Sequence, residues 1–274
     1  MAMAGGPAWA ASLPSYDASY SVQLARASLS TGPRAADGLL DYRFSETCDG
    51  WQTRTRVVME LAFRDGTTIA NERDFESFES KDGRSYTFAV RTVKGGTPVE
   101  AFKGAAKMFA RGGGSVVYEL PSVEPAGKPR KVTVTLPKGT LLPVRHALAL
   151  LDQAGKGEKV FRSIIFNGAS SVGPRAASTV IGPQLAMAGD PGDMAAIDAG
   201  LLSAPSWNLN LAFYNLFERR DTPNFEVFQR FYATGISPAF EQEFDDFTIR
   251  AALDRLQRLD RPVCDAPVPE KGKR

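Results

Sequence analysis

The residues from Trp51 to Phe63, WQTRTRVVMELAF, alternate with a period of two. Trp51, Thr53, Thr55, Val57, Met59, Leu61 and Phe63 fall on one face; Gln52, Arg54, Arg56, Val58, Glu60 and Ala62 fall on the other, and Arg64 continues it. Successive side chains of a strand point to opposite sides of a sheet, so this pattern specifies a half-buried strand. It recurs in SYSVQLA (Tyr20, Val22, Leu24), LLDYRFS (Leu40, Tyr42, Phe44) and SYTFAVRTV (Tyr86, Phe88, Val90). It is seen again in KVTVTLP (Val132, Val134, Leu136), NLNLAFYNLF (Leu209, Leu211, Phe213) and FEVFQRFY (Phe225, Val227, Phe231). A chain so dominated by this period must build a sheet with one buried face.

Turn residues punctuate the runs. Asp65-Gly66, Asp82-Gly83, Asn167-Gly168 and Ala233-Thr234-Gly235 supply residues for which positive φ costs little. The expected fold is mainly β: a long antiparallel meander forming a sandwich, a barrel or an open curved sheet. One segment departs from it. LPVRHALALLDQAGKGEK spaces Val144, Leu148 and Leu151 helically after Pro143, and predicts one short amphipathic helix over about 144–154. VEAFKGAAKMFAR fits a helical turn or an irregular strand. FTIRAALDRLQRLD passes for a helix by periodicity, but no turn residue separates it from strand-like AFEQEFDDF, and we read it as strand. The Gly/Ala/Pro-rich residues 170–206 read as a long loop region with one short strand at ASTVIG.

The chain has 33 basic and 31 acidic residues in 274, a balance that excludes a dedicated nucleic-acid binder. Hydrophobic residues make up 43%, enough for a core without staples. No apolar run approaches the roughly 18 residues that a membrane-spanning helix needs. In MAMAGGPAWAASLPSY, the small residues Ala8 and Ala10 resemble the end of a signal-peptidase site, although the charged and long apolar parts of a leader are absent. Residues 1–15 are accordingly expected to be a disordered terminus or a residual export leader. Residues 16–265 are expected to form a single β domain, and 266–274 a disordered tail.

Residues for catalysis are few. His146 is the one histidine, so any Ser-His-Asp or Cys-His arrangement would have to use it. There is no nucleophile elbow, no C-x-x-C pair, no zinc-ligand spacing and no P-loop, since RGGG at 111–114 lacks the G-K-[ST] ending. Metal and cofactor are both expected to be none. Glu241, Glu243 and Asp245 share a strand face opposite Phe240 and Phe244, which is how a solvated outer face reads. Arg54, Arg56 and Arg64 also share a face. Either they are solvated, or they give an anionic ligand a cationic lining. The residues set down for a ligand groove are Arg54, Arg56, Trp51 and His146.

Cys48 and Cys264 are the only cysteines and lie 216 positions apart. They are either two inert buried thiols or one disulfide closing nearly the whole chain. Cys48 precedes the strand from Trp51 and Cys264 follows the last strand. That placement, with the AWAA segment, favours a bridge. It would join the two ends of an open sheet where no ladder of hydrogen bonds does.

Three stretches resemble the EipB-like family of alphaproteobacterial cell-envelope integrity proteins: YRFSETCDGWQTRTRV, LPKGTLLPVRHALALL with IIFNG following, and FDDFTIRAALDRLQRLDRPVC. The resemblance spans about residues 16–265 and is weakest over 170–206. It implies an exported, periplasmic monomer, with a long antiparallel sheet curled into an open barrel or β-spiral and one disulfide, matched by Cys48 and Cys264. It implies a role in envelope maintenance and no known reaction. The spiral is similar in outline to periplasmic lipoprotein carriers, which suggests a concave groove for a lipid or part of a lipoprotein. Two alternatives stand beside this reading. One is a protein-interaction scaffold that uses the outer sheet face and loop 170–206. The other is a hydrolase using His146.

Overall fold

A computed structural model describes residues 13–122, 127–171, 173–186, 196–218 and 221–264. The first eight strands are β1 (Tyr16–Ala27), β2 (Ala35–Glu46), β3 (Gly50–Ala62), β4 (Thr68–Ser80), β5 (Ser85–Lys94), β6 (Thr97–Met108), β7 (Gly114–Leu120) and β8 (Arg130–Leu136). After the short β9 (Thr140–Leu141) comes the helix α1 (Pro143–Gly155). Six strands follow: β10 (Val160–Ile165), β11 (Arg175–Leu185), β12 (Ser206–Asn215), β13 (Phe225–Tyr232), β14 (Ala239–Glu243) and β15 (Phe247–Arg258). All belong to one 15-stranded sheet, nearly closed into a barrel with an unsealed seam.

The strand order is β8-β7-β6-β5-β4-β3-β2-β1-β15-β14-β13-β12-β11-β10-β9. The first and last strands are therefore neighbours in mid-sheet. β1 and β15 pair antiparallel from Tyr16↔Arg258 to Ala27↔Phe247. The free edges, β8 and β9, follow one another in the chain, so the seam lies at mid-sequence. β9 pairs in parallel with β10 through only Ile164↔Thr140 and Ile165↔Leu141; every other pairing of strands is antiparallel.

This corrects the expectation for the disulfide. Cys48, in the β2–β3 turn, is bonded to Cys264, beyond β15, with 5.6 Å between their Cα atoms. The bridge stands beside the β1–β15 ladder, which already joins the chain ends. It does not hold the open edges.

The helix extends one residue beyond the expected range at either end. Pro143 occupies its first turn, where a missing N–H costs nothing. FTIRAALDRLQR is strand, and its helical appearance has a cause. The ladder slips between Ser19 and Tyr20, so Arg255 faces Ser19 while Leu253 faces Tyr20, and Asp254 is extra. Ile249, Ala251 and Leu253 keep the period of two, and the bulge then puts the fully buried Leu256 on the inner face. VEAFKGAAKM is strand in β6, and an irregular one: its ladder with β5 shifts register between Thr92 and Val93, leaving Val99 as the extra residue. Within the expected loop 170–206, β11 is longer than the ASTVIG read from sequence, and Ala199–Leu202 forms a 3₁₀ turn. Residues 1–12 and 265–274 lie outside the described residues. Leu13 packs on the core, and the Ser15 carbonyl accepts from the Leu259 amide at 2.9 Å.

Three clusters line the concave face. One surrounds the β1–β15 junction with Tyr16, Tyr20, Phe44, Val144, Ile249 and Leu256. A second, under β5–β8, holds Tyr86, Phe88, Phe102, Tyr118, Leu142 and Phe166. A third places Leu150, Leu151 and Ala154 of α1 against Ile181, Trp207 and Leu209 of β11 and β12. Val144 and Leu151 serve different clusters, so the helix ties the junction to the far wall.

Candidate functional site

The concave face is largely occupied by the chain itself. Between β10 and β11, residues 166–171, 173 and 174 lie over β4–β8. Phe166 is fully buried, with ring centroids 5.6 Å from Phe88 and 6.1 Å from Tyr86. Gly168 lies on Phe88 with φ +66°; a Cβ there would sit 2.5 Å from the ring, so glycine is required on two counts. The Tyr86 hydroxyl donates to the Asn167 carbonyl at 2.7 Å and the Tyr118 hydroxyl to that of Ser170 at 3.3 Å. The Arg73 guanidinium donates to Glu100 at 2.9 Å, to Thr92 at 2.8 Å and to the Ala169 carbonyl.

Helix α1 covers the middle of the same face. Its first amides, Val144 and Arg145, donate to the Glu79 carboxylate of β4 at 2.7 and 3.1 Å. A carboxylate at a helix N-terminus meets both the unpaired amides and the positive end of the dipole. Glu79 is 1% exposed, and burial pushes its carboxyl up to about 7 despite those amides and the nearby Arg145. Sequence reading missed Glu79. The signal was an acidic residue in phase with the inward Phe75 and Ser77, opposite Trp51.

His146 is buried on α1, its ring centroid 5.7 Å from that of Phe161. Among the described residues its Nε2 has no hydrogen-bond partner, and burial lowers its pKa to about 4. The imidazole is therefore neutral at pH 7, and its Nε2 is joined to no hydroxyl or carboxylate among the described residues. Among the described residues no group of three His, Cys, Asp or Glu is arranged to hold a metal ion.

An apolar cavity of about 170 Å³ lies between the start of α1 and β1–β3. Tyr16, Tyr42, Phe44, Thr53, Val144 and Phe231 line it. Burial raises the pKa of both tyrosines, whose rings lie 5.6 Å apart.

The four residues expected to form a groove do not meet. Trp51 faces inward with the junction cluster, and His146 is enclosed under α1. Arg54 and Arg56 face outward on β3 because they have the opposite parity to Trp51. They line a shallow outer depression of about 400 Å³ and are matched by acidic groups: Arg54 to Glu76 at 3.4 Å, Arg56 to Glu72 at 3.3 Å and to Asp74 at 3.4 Å. Arg64 lies beyond the end of β3. Glu241 and Glu243 are on the outer face near Arg26, at 3.6 and 3.8 Å. A larger outer groove, about 620 Å³, crosses β3–β8 over a floor of Phe78, Ala89, Ala105 and Val117, with Lys103 and Glu119 paired at its edge at 3.2 Å. No helix among the described residues is long and apolar enough to cross a membrane.

Comparison with known proteins agrees with this architecture. The chain is 26% identical over 260 residues to the cell envelope integrity protein EipB of Brucella abortus (strain 2308), covering 94% of this chain and 88% of that protein. It superposes on the crystal structure of a beta-barrel-like protein of domain of unknown function DUF1849 from Brucella abortus with a TM-score of 0.79 and 25% identity, covering 92% of this chain and 100% of the other. The EipB-like family model matches residues 7–260, and the chain belongs to that family.

Proposed function

We propose that this chain is an exported, periplasmic protein that supports the integrity of the cell envelope by binding and not by catalysis. Its ligand is an amphipathic envelope component, a lipid or the lipid-bearing part of a lipoprotein. The observation that carries this reading is the aromatic-lined cavity beside α1 in a concave face that the chain itself largely occupies. At about 170 Å³ it falls below the roughly 300–1,000 Å³ of whole-ligand pockets, so it takes one end of an acyl chain, not a whole lipid. The name of the Brucella relative supports the envelope role, and the bridge, which needs an oxidising compartment, supports export. The buried, unpaired His146 supports a non-catalytic role, since a general base must reach its substrate. Solvent extraction of protein purified without detergent, followed by mass spectrometry, should find a lipid in near-equal amount. Finding none above background would overturn the lipid reading.

A second reading, a scaffold for an envelope protein, is favoured by the apolar outer groove over β3–β8. Ala105→Arg fills that groove from an exposed position. If it abolishes complementation of an envelope-defective strain while the melting temperature is unchanged, the scaffold reading stands; if complementation is intact, the reading fails.

A further inference from the structure

A cleft larger than the interior cavity opens at one rim of the sheet. In a meander every second turn falls at the same end. The β4–β5 turn, the β6–β7 turn, the β8–β9 connection and the start of α1 therefore converge. The cleft between them measures about 590 Å³, within the size range of small-molecule sites. Met108, Phe109, Leu141, Leu142, Leu148 and Ala149 form its apolar wall. Phe109, at the lip, is 56% exposed. An aromatic ring left in water beside an apolar cleft marks a binding surface more than a packing requirement.

Arg145 lines this cleft, and four more exposed cations each adjoin a lining residue in the chain: Arg84 follows Gly83, Lys107 precedes Met108, Arg111 precedes Gly112 and Lys138 precedes Gly139. Among the described residues none of the five is ion-paired with a carboxylate. The outer face of β1–β4 is different, since Arg43, Arg54 and Arg56 there each have an acidic partner. Arg145 is fixed by donating to the Lys81 carbonyl at 2.7 Å, lying so close over Gly83 that a Cβ there would be 2.8 Å from its Nε. The one carboxylate lining the cleft, Asp82, already accepts from the Ser80 hydroxyl at 2.6 Å and the Arg84 amide at 2.9 Å. On the same rim Glu46 is paired with Lys81 at 2.9 Å, and Asp49 belongs to the next turn along.

We propose that this cleft binds an anionic phospholipid, with acyl chain against Phe109 and Leu148 and phosphate among Arg111, Lys138 and Arg145. The proposal rests on the reading that the protein binds an amphipathic lipid; it assigns the headgroup charge and places the headgroup at the rim. The combination of features selects the ligand. An acidic peptide would satisfy the cations and leave the Met108–Phe109 wall uncovered; a neutral lipid would cover the wall and leave Arg111 and Lys138, which have no ion pair among the described residues, without an anion. Each cation near an anionic lipid contributes roughly fivefold in affinity.

The test is a titration of the intact, disulfide-bonded protein with dihexanoyl-phosphatidylglycerol and dihexanoyl-phosphatidylcholine, both below their micelle concentrations, followed by amide NMR shifts. The phosphatidylglycerol should bind roughly tenfold or more tightly, shifting residues 108–113, 139–142 and 145–149. The double variant Arg111→Glu/Lys138→Glu should lose about 25-fold or more of that affinity, and Phe109→Ser should weaken both lipids. All three positions are exposed, so the variants should melt like the parent. Equal affinity for the two lipids, or no effect of the double variant, overturns the proposal. So does a hexaglutamate peptide that gives the same shifts with no dependence on Phe109. Shifts confined to Tyr16, Phe44 and Val144 would overturn the rim site and leave the amphipathic reading standing. If neither lipid binds, both fall.

Discussion

The barrel has two longitudinal joints. At the β1–β15 junction the backbone closes the sheet: the two strands pair along nearly their whole length, and the Cys48–Cys264 bridge stands beside them. At the β8/β9 seam the backbone barely contributes, and side chains do the holding. Phe166 under β5–β8, the Tyr86 and Tyr118 hydroxyls on the Asn167 and Ser170 carbonyls, and the Glu79 carboxylate on α1 keep that side in place. A sheet can therefore be closed by ladder on one side and by buried anchors on the other. The two joints should fail independently.

The largest test acts on the junction. Reducing the bridge, or replacing both cysteines by serine, removes a 216-residue loop constraint worth at most about 5 kcal/mol in the chain-entropy model. Urea denaturation should show a loss of about 2–5 kcal/mol, with β1 and β15 amides still protected from exchange because the ladder remains. Collapse of that protection would mean that the sulfurs, and not the ladder, close the junction. On the seam side, Phe166→Ala should cost about 3–5 kcal/mol and speed exchange in β5–β8 more than in β1 and β15. Equal loss in both regions would erase the distinction between the joints.

Next in size is Glu79→Ala, which strands two helix amides at a cost of roughly 1–3 kcal/mol. The pH dependence sharpens this. The folded Glu79 pKa, about 7, lies above its ordinary 4.5, so this group's contribution is full below 4.5 and is lost as pH rises through 7. The folded His146 pKa, about 4, lies below its ordinary 6.5, so its contribution is present above 6.5 and is lost as pH falls through 4. Between 4.5 and 6.5 the two oppose one another. Across that window Glu79→Gln should make stability rise more steeply with pH, and His146→Gln should make it fall, as read from urea midpoints. Neither variant shifting the slope would show that these groups titrate normally. The smallest effect belongs to Arg54→Ala on the outer face, expected within about 1 kcal/mol because its ion pair is exposed.

The local rules were legible. The parity of β3 placed Trp51 and Arg54 on opposite faces, and that parity alone already argued against one groove containing both. The helix from Pro143 was readable because its apolar spacing breaks the period of two. The position of the seam was not. β1 alternates whether its partner is β15 or solvent, and nothing local tells β8 that it is an edge. Partner choice lies in long-range complementarity. For the same reason Phe166 looked like one more apolar residue in IIFNG, and Glu79 like one more charge in FESFESK.

The junction also sets a timetable. A chain made from its N-terminus finishes β1 early and β15 last, so one edge of β1 stays uncovered until almost everything else has emerged. An uncovered strand edge is a template for unwanted pairing, and such distant partners make folding slow. The bridge between Cys48 and Cys264 can form only when that wait is over. Its appearance during maturation is thus a chemical timestamp for that junction, marking molecules whose chain ends have met and leaving the others as free thiols.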